Sequence, residues 1–280
     1  MILSESESQR YLEKLFDLFV RHLVATVYKV SYPGTKQPAE RIIHPGFLLI
    51  CRGRVFYLTA GHNLKRILAE GVHVEKSVFV DCFGPEAISE IPAPFPFADF
   101  PKFHVDIQSG IGLDLGLLEF VGPCKSVFQS LFRRNKVIPL EEQHWVGQDL
   151  SVFHNFFLLG FPDNLHGPSF AYDSKAVLRP SLIPLEWIRD PDDRITQGRK
   201  GLFCARYSEK LELSIEGASA GPIFGVINNP QRNYQVVGMQ FAQRKQDRVA
   251  IGCILPLIGY GLTKWIESLA GGPGEDPAAK

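Results

Sequence analysis

The sequence predicts an all-β protein with a helix at each end, and three observations predict it. Short apolar or alternating runs follow one another from about residue 24 to residue 256. Twenty-five glycines and 20 prolines punctuate those runs, in a chain also rich in Phe at 21 residues. Helical periodicity is confined to the two ends. With 45% hydrophobic and 21% charged residues, the 280-residue chain has an ordinary globular composition that argues against wholesale disorder and for a sizeable core.

Residues 1–23 form the first expected segment. Ser4 can cap a helix over residues 4–23, Glu5 and Glu7 suit its positive end, and Leu12, Leu15, Phe16, Phe19, Val20 and Leu23 recur at helical spacing. The apolar stripe is expected to pack on the main body, with docking of a partner as the other reading. Residues 24–135 carry a first β series: LVATVYKVSY, GFLLICRG, RVFYLTA, SVFVDCF and LDLGLLEF. A proline-rich stretch over 85–101 reads as a long surface loop, because proline cannot occupy a central strand. Residues 136–256 carry a second series, SVFHNFFLLGF, GLFCARYS, SAGPIFGV, YQVVGMQFA and VAIGCILPL, with a charged insertion at 179–200. Both long segments are either lids or docking loops, one of which orders the site when a substrate or activating partner binds, or solvated insertions without a role. A C-terminal helix at 257–270 and a disordered tail at 271–280 complete the chain.

Composition also narrows the function. Thirty basic and 30 acidic residues give a formal charge of zero without a basic run, so nucleic acid is excluded as the expected partner in favour of protein or peptide. The five cysteines form no C-x-x-C pair, which points away from a metal site and towards reduced thiols, and nothing calls for a cofactor. The N-terminal stretch carries acids where a secretory signal carries bases, and no run approaches the roughly 20 apolar residues of a membrane span. A cytoplasmic location without membrane contact is the expectation.

Three short motifs carry chemistry. In GASAGP, residues 217–222, Ser219 lies between Gly217 and Gly221, where a tight turn can expose a hydroxyl and aim its own amides at a developing oxyanion. Its bland counterpart is a glycine-rich turn with an incidental serine. In YLTAGHNL, residues 57–64, His62 ends an apolar run, and a neutral imidazole is the usual base for a serine hydroxyl. With eight histidines in the chain, a structural one is the competing reading. In LDLGLLEF, residues 113–120, Asp114 interrupts apolar residues, and a half-buried carboxylate needs a partner such as an imidazole or a turn. The order His62, Asp114, Ser219 in β surroundings is that of the chymotrypsin-type triad. An esterase of the α/β-hydrolase class also uses G-x-S-x-G, but no histidine follows Ser219, which excludes it.

The chain resembles trypsin-like serine peptidases, and within them the HtrA (DegP-like) branch. GFLLICRGRVFYLTAGHNL, DLGLLEF, FFLLGFPDNL, GASAGPIFG, VVGMQFA and IGCILPL carry the resemblance, over residues 44–256. It implies two six-stranded antiparallel β-barrels with the triad in the cleft between them. It also implies His62 as base, Asp114 as its orienter and Ser219 as nucleophile, with the Gly217 and Ser219 amides as oxyanion hole. By the same resemblance Leu213, Ser214 and Gln240 line the substrate pocket, which Leu213 makes suited to an uncharged side chain. The sequence departs from the pattern at Ala218, where many secreted relatives carry an activating aspartate, and at Ala220, where glycine is commoner. No PDZ segment or family disulfide pattern is present. The alternative is a catalytically silent trypsin-like fold that acts as a protein-binding module.

Overall fold

A computed structural model describes residues 5–81, 87–88, 93–107, 113–133, 135–140, 148–162, 177–178, 180–208, 215, 217–227 and 234–270. The expected first helix is α1 (Glu5–Phe19), followed by a 3-10 turn at Val20–His22. Its apolar stripe turns inward: Leu15, Phe19, Val20 and Leu23 are buried, and the Phe19 ring stacks on Phe224 at 4.0 Å between centroids.

The first lobe comprises β1 (Val24–Ser31), β2 (Glu40–Cys51), β3 (Arg54–Ala60), α2 (Gly61–Ile67), β4 (His73–Asp81), β5 (Ala87–Ile88), β6 (Ala93–Pro94), β7 (Lys102–Ile107), β8 (Leu113–Glu119), α3 (Lys125–Phe132) and β9 (Ile138–Pro139). Its strands run in the order β6-β4-β1-β2-β3-β8-β7, with β9 added in parallel to β2, which makes an eight-stranded half-barrel. The β2–β3 hairpin turns on Arg52-Gly53, both at positive φ, as a two-residue turn matched to strand twist requires.

The second lobe comprises β10 (Asn155–Gly160), β11 (Val177–Leu178), β12 (Ser181–Trp187), β13 (Leu202–Tyr207), β14 (Pro222–Val226), β15 (Tyr234–Arg244) and β16 (Val249–Ile254). Strands β10-β12-β13-β16-β15-β14 close into a six-stranded barrel, while β11 pairs with β5 of the first lobe. The chain then enters α4 (Leu255–Ala270). A half-barrel and a closed barrel with a helix at each end match the all-β fold class that the strand pattern predicted and the trypsin-like barrel pair that the resemblance implied.

One core runs through both lobes. It joins Phe47, Leu49, Phe56 and Leu58 of the first lobe to Phe157, Leu159, Phe224 and Met239 of the second, with Leu15 and Phe19 from α1 and Ile258 and Leu262 from α4. α4 is also fastened by a cation–π contact. Arg54 grips the buried Glu119 with two hydrogen bonds of 2.6 Å, and Trp265 lies over the Arg54 guanidinium at 5.2 Å.

Two segments differ from expectation. The 179–200 stretch, expected to be a charged insertion, supplies β12, which pairs with both β10 and β13 and so closes the barrel. Ile183 and Leu185 point into the core, while Pro184 and Glu186 face outward, so the alternation is that of a strand despite the proline. The proline-rich 85–101 stretch is likewise no mere surface loop. It adds β6 to the sheet and buries Phe95, Phe97 and Phe100, with Phe95 stacked on Phe79 at 4.2 Å. Among the described residues no helix is long and apolar enough to cross a membrane. The tail expected to be disordered lies outside the described residues.

Candidate active site

Strand register brings the histidine and the aspartate together. β3 pairs antiparallel with β8, so that Ala60 faces Leu115 and Thr59 faces Gly116. His62, two residues beyond Ala60, therefore meets Asp114, one residue before Leu115. The chain passes from β3 straight into α2, and Ala60, the residue before its first turn, has no side-chain acceptor to offer the free amides there. Asp114 supplies one from another strand. Its Oδ2 accepts from the His62 backbone N–H at 3.0 Å and lies 2.7 Å from the ring Nδ1.

This double contact has a chemical consequence. An ionised carboxylate can only accept, so Nδ1 must carry the proton it donates, and a neutral ring then presents Nε2 as a basic lone pair. The His62 side chain is 48% exposed and Asp114 26%, which leaves the outer nitrogen open to a substrate while the carboxylate is half sheltered.

Ser219 sits on the turn that leads into β14. Gly217 has φ +83° and Ala220 φ +80°, so the turn contains one residue for which the left-handed region is natural and one for which it is strained. Local hydrogen bonds define its shape. The Ala218 amide donates to Ile215 O at 3.1 Å, the Gly221 amide to Ala218 O at 2.8 Å and the Ala220 amide to Gln240 O at 2.7 Å. Because a peptide group is planar and trans, tying the Ala218 carbonyl to Gly221 turns the Ser219 N–H to the opposite side. Neither the Gly217 nor the Ser219 amide donates to another described group. Ala218, buried completely, packs where Gly160 has no side chain: a Cβ at Gly160 would stand 2.7 Å from the Ala218 Cβ.

Between the Ser219 turn and α2 the link runs through a neighbour of His62. Asn63 Nδ2 donates to the Ser219 carbonyl at 3.4 Å. Among the described residues no hydrogen bond joins the His62 ring to the Ser219 hydroxyl. Asn63 was not singled out in the sequence: Lys65 and Arg66 follow it closely, and its partner lies 156 residues away.

Of the expected pocket residues, Leu213 and Ser214 lie outside the described residues. Gln240 is 1% exposed and holds the turn through its backbone, accepting from Ala220 and donating to Gly221 O at 3.0 Å. Its Nε2 donates to Ala242 O at 2.8 Å, while Oε1 is buried without a partner. Among the described residues no group of three His, Cys, Asp or Glu side chains could hold a metal ion.

No family model matches the chain, and no curated protein matches it either. Among solved structures the chain is similar to the scabies mite inactivated protease paralogue S-I1, at 16% sequence identity and a TM-score of 0.49, over 90% of this chain and 95% of that one.

Proposed function

We propose that the protein is a serine endopeptidase that cleaves protein substrates through an acyl-enzyme, by regulated, limited proteolysis in the cytoplasm, and that its affinities lie with the HtrA-like branch. The observation that carries this reading is the Asp114 carboxylate held on both the ring Nδ1 and the backbone N–H of His62. A carboxylate so placed fixes the tautomer and the orientation of the imidazole at once, which is the requirement of a general base.

In the proposed reaction His62 Nε2 takes the proton from the Ser219 hydroxyl as Oγ bonds to the scissile carbonyl carbon. The carbonyl oxygen becomes an oxyanion, received by the Gly217 and Ser219 amides; loss of one such donor costs about 2.7–4 kcal/mol of transition-state stabilisation. The imidazolium, stabilised by Asp114, returns the proton to the leaving amine as the C–N bond breaks. Water then attacks the acyl-enzyme by the same route, with His62 again as base. The pocket assigned to Leu213, Ser214 and Gln240 would favour an uncharged side chain, which a panel of fluorogenic peptides varying only at P1 reads directly. The four described cysteines, Cys51, Cys124, Cys204 and Cys253, are buried thiols outside any disulfide, in keeping with a reducing compartment.

A second reading, a silent fold that binds proteins without cleaving them, is favoured by the lack, among the described residues, of a hydrogen bond from the His62 ring to Ser219. A fluorophosphonate separates the two, because only an activated serine displaces its leaving group at a useful rate. Labelling of the parent chain and its loss in Ser219→Ala support the peptidase; an unlabelled, well-folded parent would overturn it.

A further inference from the structure

The peptide group between Ser219 and Ala220 is held at its two ends by different lobes. Its N–H donates to Gln240 O in β15 at 2.7 Å, and its carbonyl accepts from Asn63 Nδ2 in α2 at 3.4 Å. The Asn63 amide has two hydrogens, and the second goes to Thr59 Oγ1 at 3.2 Å. The Thr59 hydroxyl donates in turn to Pro45 O at 2.9 Å. Asn63 and Thr59 are 9% and 2% exposed, so this file of bonds runs through the protein interior and ends on the backbone of β2. Buried donors arranged in this way hold one geometry, because any displacement leaves one of them unmatched.

The residue after the held carbonyl makes the arrangement consequential. Ala220 has φ +80°, in a region that an L-residue keeps only when its surroundings over-determine it. The bonds at the two ends of the preceding peptide do that. His62 and Asn63 are consecutive residues of one short helix, and the His62 amide is itself anchored on Asp114. The distance between the histidine and the serine is therefore set by the residue beside the histidine.

The geometry points to Asn63 as a positioning residue, one that locks the Ser219 turn to the His62 helix by tethering the Ser219 carbonyl and holding Ala220 in its left-handed conformation. It touches no reacting atom. The inference rests on the reading of Ser219 as nucleophile, but the tether itself is a structural claim that can be measured apart from activity.

The test is a double-mutant cycle in the full chain with Asn63→Ala and Ala220→Gly. Each protein is followed by the second-order rate of fluorophosphonate labelling, by kcat and KM on a peptide substrate, and by its urea unfolding midpoint. Glycine reaches φ +80° without strain, so the substitution at Ala220 should remove most of the need for the tether. The expected result is that Asn63→Ala alone folds cooperatively, is labelled about ten-fold more slowly, and loses kcat with KM changed less than two-fold. In the Ala220→Gly background the same substitution should cost less than about three-fold. Equal losses in the two backgrounds, or labelling of Asn63→Ala at the parent rate, would overturn the proposal. A parent chain that is neither labelled nor active refutes the peptidase reading instead. The tether is then judged by the unfolding midpoints, where Asn63→Ala must lower the parent more than the Ala220→Gly chain, and equal shifts overturn it.

Discussion

Mild acid should destabilise this fold well before its carboxylates protonate, and two histidines set the size of the effect. His22 and His44 are 9% and 4% exposed. Burial pushes each imidazole down to about 3 from 6.5, with help from Lys136 at His22 and from Arg66 and His62 at His44. Both remain neutral in the folded protein while their unfolded counterparts take up protons. The sign follows: the stabilisation is complete above pH 6.5 and is lost progressively as pH falls towards about 3. At about 1.4 kcal/mol per pKa unit, each histidine costs about 2 kcal/mol at pH 5, and the pair about 4 kcal/mol. That is a large share of the roughly 5–15 kcal/mol that holds an ordinary domain together. Urea unfolding followed by tryptophan fluorescence at pH 7.5 and pH 5 measures it directly. His22→Phe and His44→Phe, even if each lowers stability at pH 7.5, should flatten the pH dependence by about half apiece. A parent that loses less than about 1 kcal/mol over this interval, or a double variant that keeps the full slope, would refute the reasoning.

Asp114→Asn should leave the fold intact yet lower kcat by about ten-thousand-fold, as an amide facing Nδ1 forces the proton onto Nε2; steady-state kinetics on a good peptide decide it. Arg54→Ala strands the Glu119 carboxylate, which is 4% exposed, and should cost about 3–5 kcal/mol in urea unfolding, whereas replacing both partners by apolar residues of similar size should restore most of the loss. Gly160→Ala brings a methyl group to 2.7 Å from the Ala218 Cβ and 2.9 Å from its Cα, so the turn must move. Overpacking of this kind costs about 1–3 kcal/mol, and labelling of Ser219 should slow at least ten-fold.

The three proposed catalytic residues were legible because each sits at a change of local pattern: a histidine where an apolar strand stops, an aspartate inside an apolar run, a serine between glycines. What brings two of them together is a register, Ala60 against Leu115, that no local window contains. β12 was missed because Pro184 and the acids that follow it look like loop composition. A proline on an outward-facing strand position is tolerated, and the alternation of Ile183 and Leu185 was the better guide. The 85–101 stretch misled in the same way, since its prolines hid three phenylalanines that complete the first lobe's core. Asn63 could not be found by chemistry alone, because its partner, the Ser219 carbonyl, lies 156 residues away.

The absence of an acid at position 218 has a consequence for control. Where an aspartate stands before the nucleophile, the turn can wait for a charged chain end to arrive; an alanine has nothing to pair with. Here the turn is set by packing and backbone bonds: the Ala218 methyl against the bare Cα of Gly160, its carbonyl on Gly221, and the next peptide between Gln240 and Asn63. None of these contacts involves a chain terminus. The N-terminal helix is committed elsewhere, with Phe19 stacked on Phe224, and freeing it would remove core instead of adding a contact at the turn. On this account no proteolytic processing is needed to shape the turn of the proposed nucleophile, and fluorophosphonate should modify the 280-residue chain without prior cleavage. A chain labelled only after cleavage would place the control in the segment removed, and would mean that these local contacts do not suffice to hold the turn.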